Sequence, residues 1–227
     1  MKAITVVMCV IIFTGFIICL PFLKSNDDGI CFAQEQKESK EFIMGFIQKL
    51  FDHKYDNPES MTSGRSQIAI DLGFYKDTLA VMPLIKVLGE DSYSDVRESA
   101  AYSLGLIGDK RALSSLFNAL NDKCVGVQHE AAGALIRLGL ENDEKVFITL
   151  EKIVRGINQN QWDITNFGYH KDKPEIEQKL KDDLRANAIA TLGKIKTEKT
   201  KQVIESLTKD SSKTVRESAL RILKTIK

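Results

Sequence analysis

Three histidines occur in the 227 residues, and two of them sit where side-chain chemistry could gather. His129 is followed directly by Glu130. An imidazole beside a carboxylate is the start of a metal shell or of a proton relay. One such pair supplies too few ligands to close a shell, so the expectation is a solvated polar pair on the outer part of a helix. His170 belongs to a different setting. The stretch from Gly156 to Lys173 holds the sole tryptophan, Trp162, together with Asp163, Phe167, Tyr169 and Asp172 among several Asn and Gln. Amphipathic aromatics on a loop carried by a rigid scaffold make a recognition surface, so Trp162, Phe167, Tyr169 and His170 are the candidate partner-binding residues. The other reading of the same letters is that Trp162 and Phe167 fold back to cover the elements on either side. Asp163, His170 and Asp172 follow no known ligand spacing, and neither a metal nor a cofactor is expected.

Four arginines, Arg65, Arg97, Arg185 and Arg216, recur in equivalent contexts and invite a phosphate-binding reading. The expectation is instead that each pairs with an acidic or carbonyl group where structural units meet, near Asp95, Asp183 and Asp210. Cys124 has no neighbouring base and no Cys-x-x-Cys context, which marks it as structural. There is no Gly-rich phosphate loop, no nucleophile elbow and no zinc spacing. With no complete catalytic constellation, a non-enzymatic role is expected.

The elements that must position these residues are legible in the hydrophobic pattern. A formal charge of +1, from 32 basic and 31 acidic side chains, removes the simplest case for a nucleic-acid or anionic-membrane binder. Met1 and Lys2 precede an uncharged apolar run from Ala3 to Leu23, with a small residue at Ala33. That is the layout of a secretory signal cleaved after residue 33, or of a retained N-terminal anchor long enough to cross a bilayer. Either would deliver the chain to a periplasm or cell envelope, and membrane contact is expected only through that anchor. Cys9, Cys19 and Cys31 all fall in this leader, so no intramolecular disulfide staples the remainder. Residues 34–63 read as an amphipathic helix, with Phe42, Phe46, Ile47 and Leu50 on one face, followed by a linker.

Residues 64–227 are an internal repeat. Val96-Arg97-Glu98-Ser99-Ala100 recurs letter for letter as Val215-Arg216-Glu217-Ser218-Ala219. Val127 to Gly139 aligns with Val96 to Gly108, Arg65 to Asp77 fits upstream, and Leu184 to Gly193 fits downstream. Each unit has two apolar stripes at helical spacing. In the clearest unit Val96, Ala100, Leu104 and Ile107 form the first, Gly108 ends the helix, Asp109 caps the next, and Ala112, Leu113, Leu116, Phe117 and Leu120 form the second. Two helices cannot bury both stripes alone, so four full units and a terminal half unit must stack. The expected fold is all-α, a solenoid of antiparallel helix pairs with an insertion at 156–173. From Lys194 onward 10 basic residues face 4 acidic ones, which suits a soluble end cap with Ile222, Leu223 and Ile226 turned inward.

The pattern Val-Arg-x-x-Ala-Ala-x-x-Leu-Gly-x-Ile-Gly-Asp, followed by Ala-Leu-x-x-Leu-x-x-Ala-Leu-x-Asp, resembles the short HEAT repeat, a variant also found in phycobilisome lyases. The resemblance covers about residues 64–227 and implies a stack whose concave face takes a protein partner. A similar HEAT-repeat enzyme, deoxyhypusine hydroxylase, holds two irons with four His-Glu pairs. Here the positions equivalent to His129-Glu130 are Ser66/Gln67, Glu98/Ser99, Ala186/Asn187 and Glu217/Ser218. The expected function is therefore a non-catalytic protein-protein scaffold or adaptor in the cell envelope, binding a partner through the solenoid and the Trp162–His170 loop. The alternative is an enzyme or enzyme-accessory HEAT protein, pigment-lyase-like or hydroxylase-like.

Overall fold

The computed structural model describes residues 7–13, 16–22, 29–56, 63–157 and 174–226, with side-chain environments from Ser39 onward. The chain divides into two compact units, Met1–Glu41 and Phe42–Lys227. In the first, the apolar run forms an antiparallel hairpin of β1 (Val7–Phe13) and β2 (Phe16–Phe22), with Val7 opposite Phe22 and Phe13 opposite Phe16. Val, Ile and Phe dominate both halves, and these are the residues that fit a pleated ribbon. Among the described residues no helix is long and apolar enough to cross a membrane.

The second unit is the expected all-helical solenoid. After the end of α1 (Gly29–Leu50) come the pairs α2 (Gly64–Tyr75) with α3 (Val81–Glu90), α4 (Ser94–Ile107) with α5 (Leu113–Ala119), and α6 (Val125–Arg137) with α7 (Glu144–Val154). Then α8 (Pro174–Leu192) pairs with α9 (Glu198–Ser206), and α10 (Lys213–Leu223) is the half unit. The face that α1 buries carries Ile43, Ile47 and Leu50. Phe42 is half exposed instead of buried, and it stacks with Phe46 and Tyr75 at ring distances of 5.1 and 5.3 Å.

The turns follow from single residues. Gly108 takes φ 78° and closes α4, a conformation that costs glycine nothing, and the Asp109 side chain accepts from the Arg111 N–H at 2.8 Å to open the next turn. Asp77 and Asp143 cap their following turns in the same way. Val96, Ala100 and Leu104 meet Ala112 and Leu116 in one continuous core that runs through all the pairs to Val215 and Ala219 of the half unit. At the far end Ile222, Leu223 and Ile226 pack against that core, as the end-cap reading requires.

The helices α2, α4, α6, α8 and α10 form one row, and within it α2–α4 and α4–α6 contact along their length. Glycine permits that approach. A Cβ on Gly73 would lie 2.8 Å from the Ser103 Cα, and one on Gly105 would lie 2.7 Å from the Ala134 Cα. Gly193 has the same role against Ile222 of α10. At the equivalent position α6 carries Ile136. Correspondingly, α6 and α8 touch over a short stretch only.

Candidate ligand groove

Three of the four recurrent arginines, Arg65, Arg97 and Arg185, are buried inside the stack. Arg97 donates from Nε and Nη2 to the two carboxylate oxygens of Asp122 at 2.9 and 2.8 Å, and from Nη1 to the Asp91 carbonyl at 2.8 Å. Arg65 pairs with Asp91 and Asp56, and Arg185 with Asp210 and the Val154 carbonyl. These guanidinium groups are buried, and their carboxylate hydrogen bonds hold Arg65 and Arg97 firmly charged against the cost of burial. Arg216 donates to the Asp210 and Ser211 carbonyls. Each arginine thus pairs with acidic or carbonyl groups where units meet, as expected, the carboxylates being Asp91, Asp122 and Asp210 at the unit ends, with Asp56 in addition for Arg65. On α6 the ladder changes, because Gln128 stands where the arginine would be and donates to the Asp122 carbonyl at 2.5 Å.

This break coincides with a cleft. Where α6 and α8 separate, a cavity of about 210 Å³ opens, lined by Glu98, Cys124, Gly126, Leu180, Asp183, Leu184 and Asn187. The two helices are tied beside it by a hydrogen bond of 2.9 Å between His129 Nε2 and Thr191 Oγ1. A larger cleft of about 470 Å³ runs along α2 and α4, with Gln67, Ile70 and Phe74 on one side and Asp95, Ser99, Tyr102 and Glu130 on the other. Glu98 lines both. The two cavities share this one side chain, and together they make up the groove of the row.

The groove has apolar walls and a charged floor. Phe74 is 63% exposed, an unusual state for a phenylalanine, and faces it together with Tyr102. The Arg137 guanidinium lies 4.9 Å from the Tyr102 ring centre. Burial, reinforced by the nearby charges of Glu130 and Asp95 against the opposing pull of His129, raises the Glu98 carboxyl to about 7. Burial pushes Glu130 the same way, but the His129 hydrogen bond and the charges of His129, Arg137 and Lys194 outweigh it and leave Glu130 below the usual carboxylate range. Two carboxyls along one groove are therefore driven apart, one able to carry a proton near neutrality and one ionised.

The expectation for His129-Glu130 needs correction. His129 is buried, with Nδ1 3.1 Å from Glu130 Oε1 and Nε2 on Thr191, so the pair is an internal link between α6 and α8 and not a solvated patch. Among the described residues no group of three His, Cys, Asp or Glu is placed to hold a metal. Cys124 is buried at the start of α6 against the smaller cleft, and burial pushes its thiol up, as a structural cysteine requires. Trp162, Phe167, Tyr169 and His170 lie outside the described residues. Glu98 and Phe74 were missed in the sequence, because each falls on an ordinary repeat position. The available signal was the change of two packing letters in α6, arginine to Gln128 and glycine to Ile136.

Residues 63–156 match the family model described as HEAT repeats. Over 71 residues the chain is 42% identical to the bilin biosynthesis protein PecE of Nostoc sp. (strain PCC 7120), a match covering 31% of this chain and 28% of that protein. The chain thus aligns with less than a third of that relative. Among solved structures, the fold is similar to a chain of the complex of CpcE and CpcF of phycocyanin lyase from Nostoc sp. PCC7120, at a TM-score of 0.52 and 21% identity, covering 90% of this chain and 68% of that one. Human deoxyhypusine hydroxylase in complex with glycerol overlaps at a TM-score of 0.35 and 15% identity, covering 85% and 99%, too slight to carry an argument about the site.

These matches overturn the expectation of a non-catalytic cell-envelope adaptor. The relatives are a bilin biosynthesis protein and a phycocyanin lyase complex, and nothing in them points to an envelope adaptor. The expectation that the chain is not an enzyme falls with it, since the relatives point toward enzymatic function. The error has a physical source. A repeat shares its packing letters, and chemistry spread thinly over several repeats leaves no contiguous motif.

Proposed function

We propose that this chain is an enzyme or enzyme-accessory HEAT subunit of the bilin-lyase type, which holds a linear tetrapyrrole during its attachment to protein. The observation that carries the reading is the groove. A bilin is a long flat π-system with N–H donors at its centre and carboxylate side arms. The groove offers Ile70, Phe74 and Tyr102 for the flat faces, and Glu98, Glu130 and Asp95 for the N–H groups. Arg137 and Lys194, both exposed and both acting on Glu130, supply positive charge for the side arms. The identity to PecE supports the same class of ligand. The partner proposed is a second HEAT protein, on the model of the CpcE and CpcF complex.

The test is titration of the purified full chain with biliverdin, followed by absorbance. A shifted, saturable spectrum that weakens at least tenfold in Phe74→Ala is expected. No spectral change for the wild-type chain, alone or with a co-expressed HEAT partner, overturns the reading. For the compartment, export directed by residues 3–23 is a separate proposal. Fractionation of the tagged full chain and sequencing of its mature N-terminus test that proposal and locate where the bilin is met.

A further inference from the structure

Glu98 stands apart from the other groove residues in its position. It lines both cavities, and its carboxyl lies close against Gly126 of α6, where a Cβ would come within 2.5 Å of Glu98 Oε2. Any ligand long enough to occupy both cavities passes this carboxyl. The titratable groups around it are Asp95 on its own helix, Cys124, His129 and Glu130 on α6, and Asp183 across the smaller cavity on α8. From α2 the groove receives only the uncharged Ser66, Gln67, Ile70 and Phe74.

We propose, resting on the bilin reading above, that Glu98 is the proton donor of the groove and converts the bound bilin to its cationic form. A neutral bilin has one imine-type nitrogen among its inner rings. The proton moves from the Glu98 carboxyl oxygen to that nitrogen, the Glu98 O–H bond breaks, an N–H bond forms, and the resulting carboxylate remains as counter-ion to the cation. Glu130, kept ionised by His129, accepts from the neighbouring N–H groups and stabilises the same charge. Asp95 and Asp183 add negative potential from the two sides. A carboxyl raised to about 7 carries its proton in part of the molecules at neutrality and is suited to this step, whereas an ordinary, fully ionised one is not.

The experiment compares biliverdin spectra on the full chain for wild type, Glu98→Gln and Gly126→Ala from pH 6 to 9. The Cβ added at residue 126 meets only the far end of a flexible side chain, so Gly126→Ala displaces the carboxylate with little cost to the fold. Melting curves and helicity confirm that both variants remain folded. The expected result is a wild-type complex with the red-shifted band of a protonated bilin, persisting to a higher pH than for free biliverdin. In Glu98→Gln the bound pigment keeps the neutral spectrum at pH 7, and affinity falls about tenfold. Gly126→Ala shows an intermediate loss. If wild type and Glu98→Gln bind biliverdin with the same spectrum and pH profile, the assignment of Glu98 is overturned while the bilin reading stands. If the wild-type chain binds no biliverdin, both are overturned.

Discussion

The α4–α6 and α6–α8 junctions have the same task, the stacking of one repeat on the next, and they accomplish it differently. At α4–α6 a glycine lets two backbones approach, and a bidentate Arg97–Asp122 pair closes the end of the interface. At α6–α8 the glycine is replaced by Ile136 and the arginine by Gln128, and the contact shrinks to a neighbourhood of the His129–Thr191 hydrogen bond. The tight junction brings the two backbones together, and the larger cleft still runs beside it, lined from α2, α4 and Glu130 of α6. The loose one opens the cavity between Glu98 and α8. In this array the smaller cavity accompanies the lapse in the packing letters, while the larger one lies along helices that keep them.

The comparison breaks most sharply at the ladder. Arg97→Ala strands the part-buried Asp122 carboxylate and is expected to cost about 3–5 kcal/mol in urea unfolding. Gln128→Ala removes one hydrogen bond at the loose junction and should cost about 1 kcal/mol. Equal losses would mean that the two junctions are not different in kind.

The glycines give the next test. Gly105→Ala drives a methyl into the Ala134 backbone and should lower stability by about 1–3 kcal/mol. On the face of α6, a Cβ at Gly133 would find Arg137 Nη1 and the Thr191 methyl at 3.8 and 3.9 Å, ordinary contact distances. Gly133→Ala should therefore stabilise by about 0.5–1 kcal/mol, through helix propensity. A destabilised Gly133→Ala would show that α6 and α8 are packed as tightly as their neighbours.

The last effect is in pH dependence, comparable in size to the glycine ones, and it probes Glu98, the residue that the two cavities share. Glu98 is raised from 4.5 to about 7 in the folded chain. Its contribution to stability is therefore fully present below about pH 4.5 and lost as pH rises through 7, because the unfolded chain releases that proton first. Glu130 acts in the opposite sense, its stabilisation being lost as pH falls through its depressed value. Melting of wild type against Glu98→Gln between pH 5 and 8 separates the two. The variant should gain on wild type toward pH 8 by on the order of 1–2 kcal/mol, allowing for solvent screening of a partly exposed group. A constant difference across that range would place Glu98 in ordinary solvent.

How much of this was legible follows from which forces are local. The sequence alone determined the helix pairs, their caps at Gly108 and Asp109, the apolar stripes, the number of repeats and the pairing of the repeat arginines where units meet, because each depends on residues within one or two turns or on strict periodicity. It also carried the lapse at Gln128 and Ile136, although not its meaning. Only the tertiary structure decided that Ile43 and not Phe42 is buried, that the apolar run at residues 7–22 pairs as strands, that His129 is an internal tie to Thr191, and that Glu98 lies between two cavities. Those outcomes depend on approach distances between helices distant in the chain. A carboxyl's protonation is set by what surrounds it in space, and for Glu98 the surroundings are Gly126, His129 and Glu130 of a neighbouring helix. The groove is thus a property of the stack and not of any single repeat.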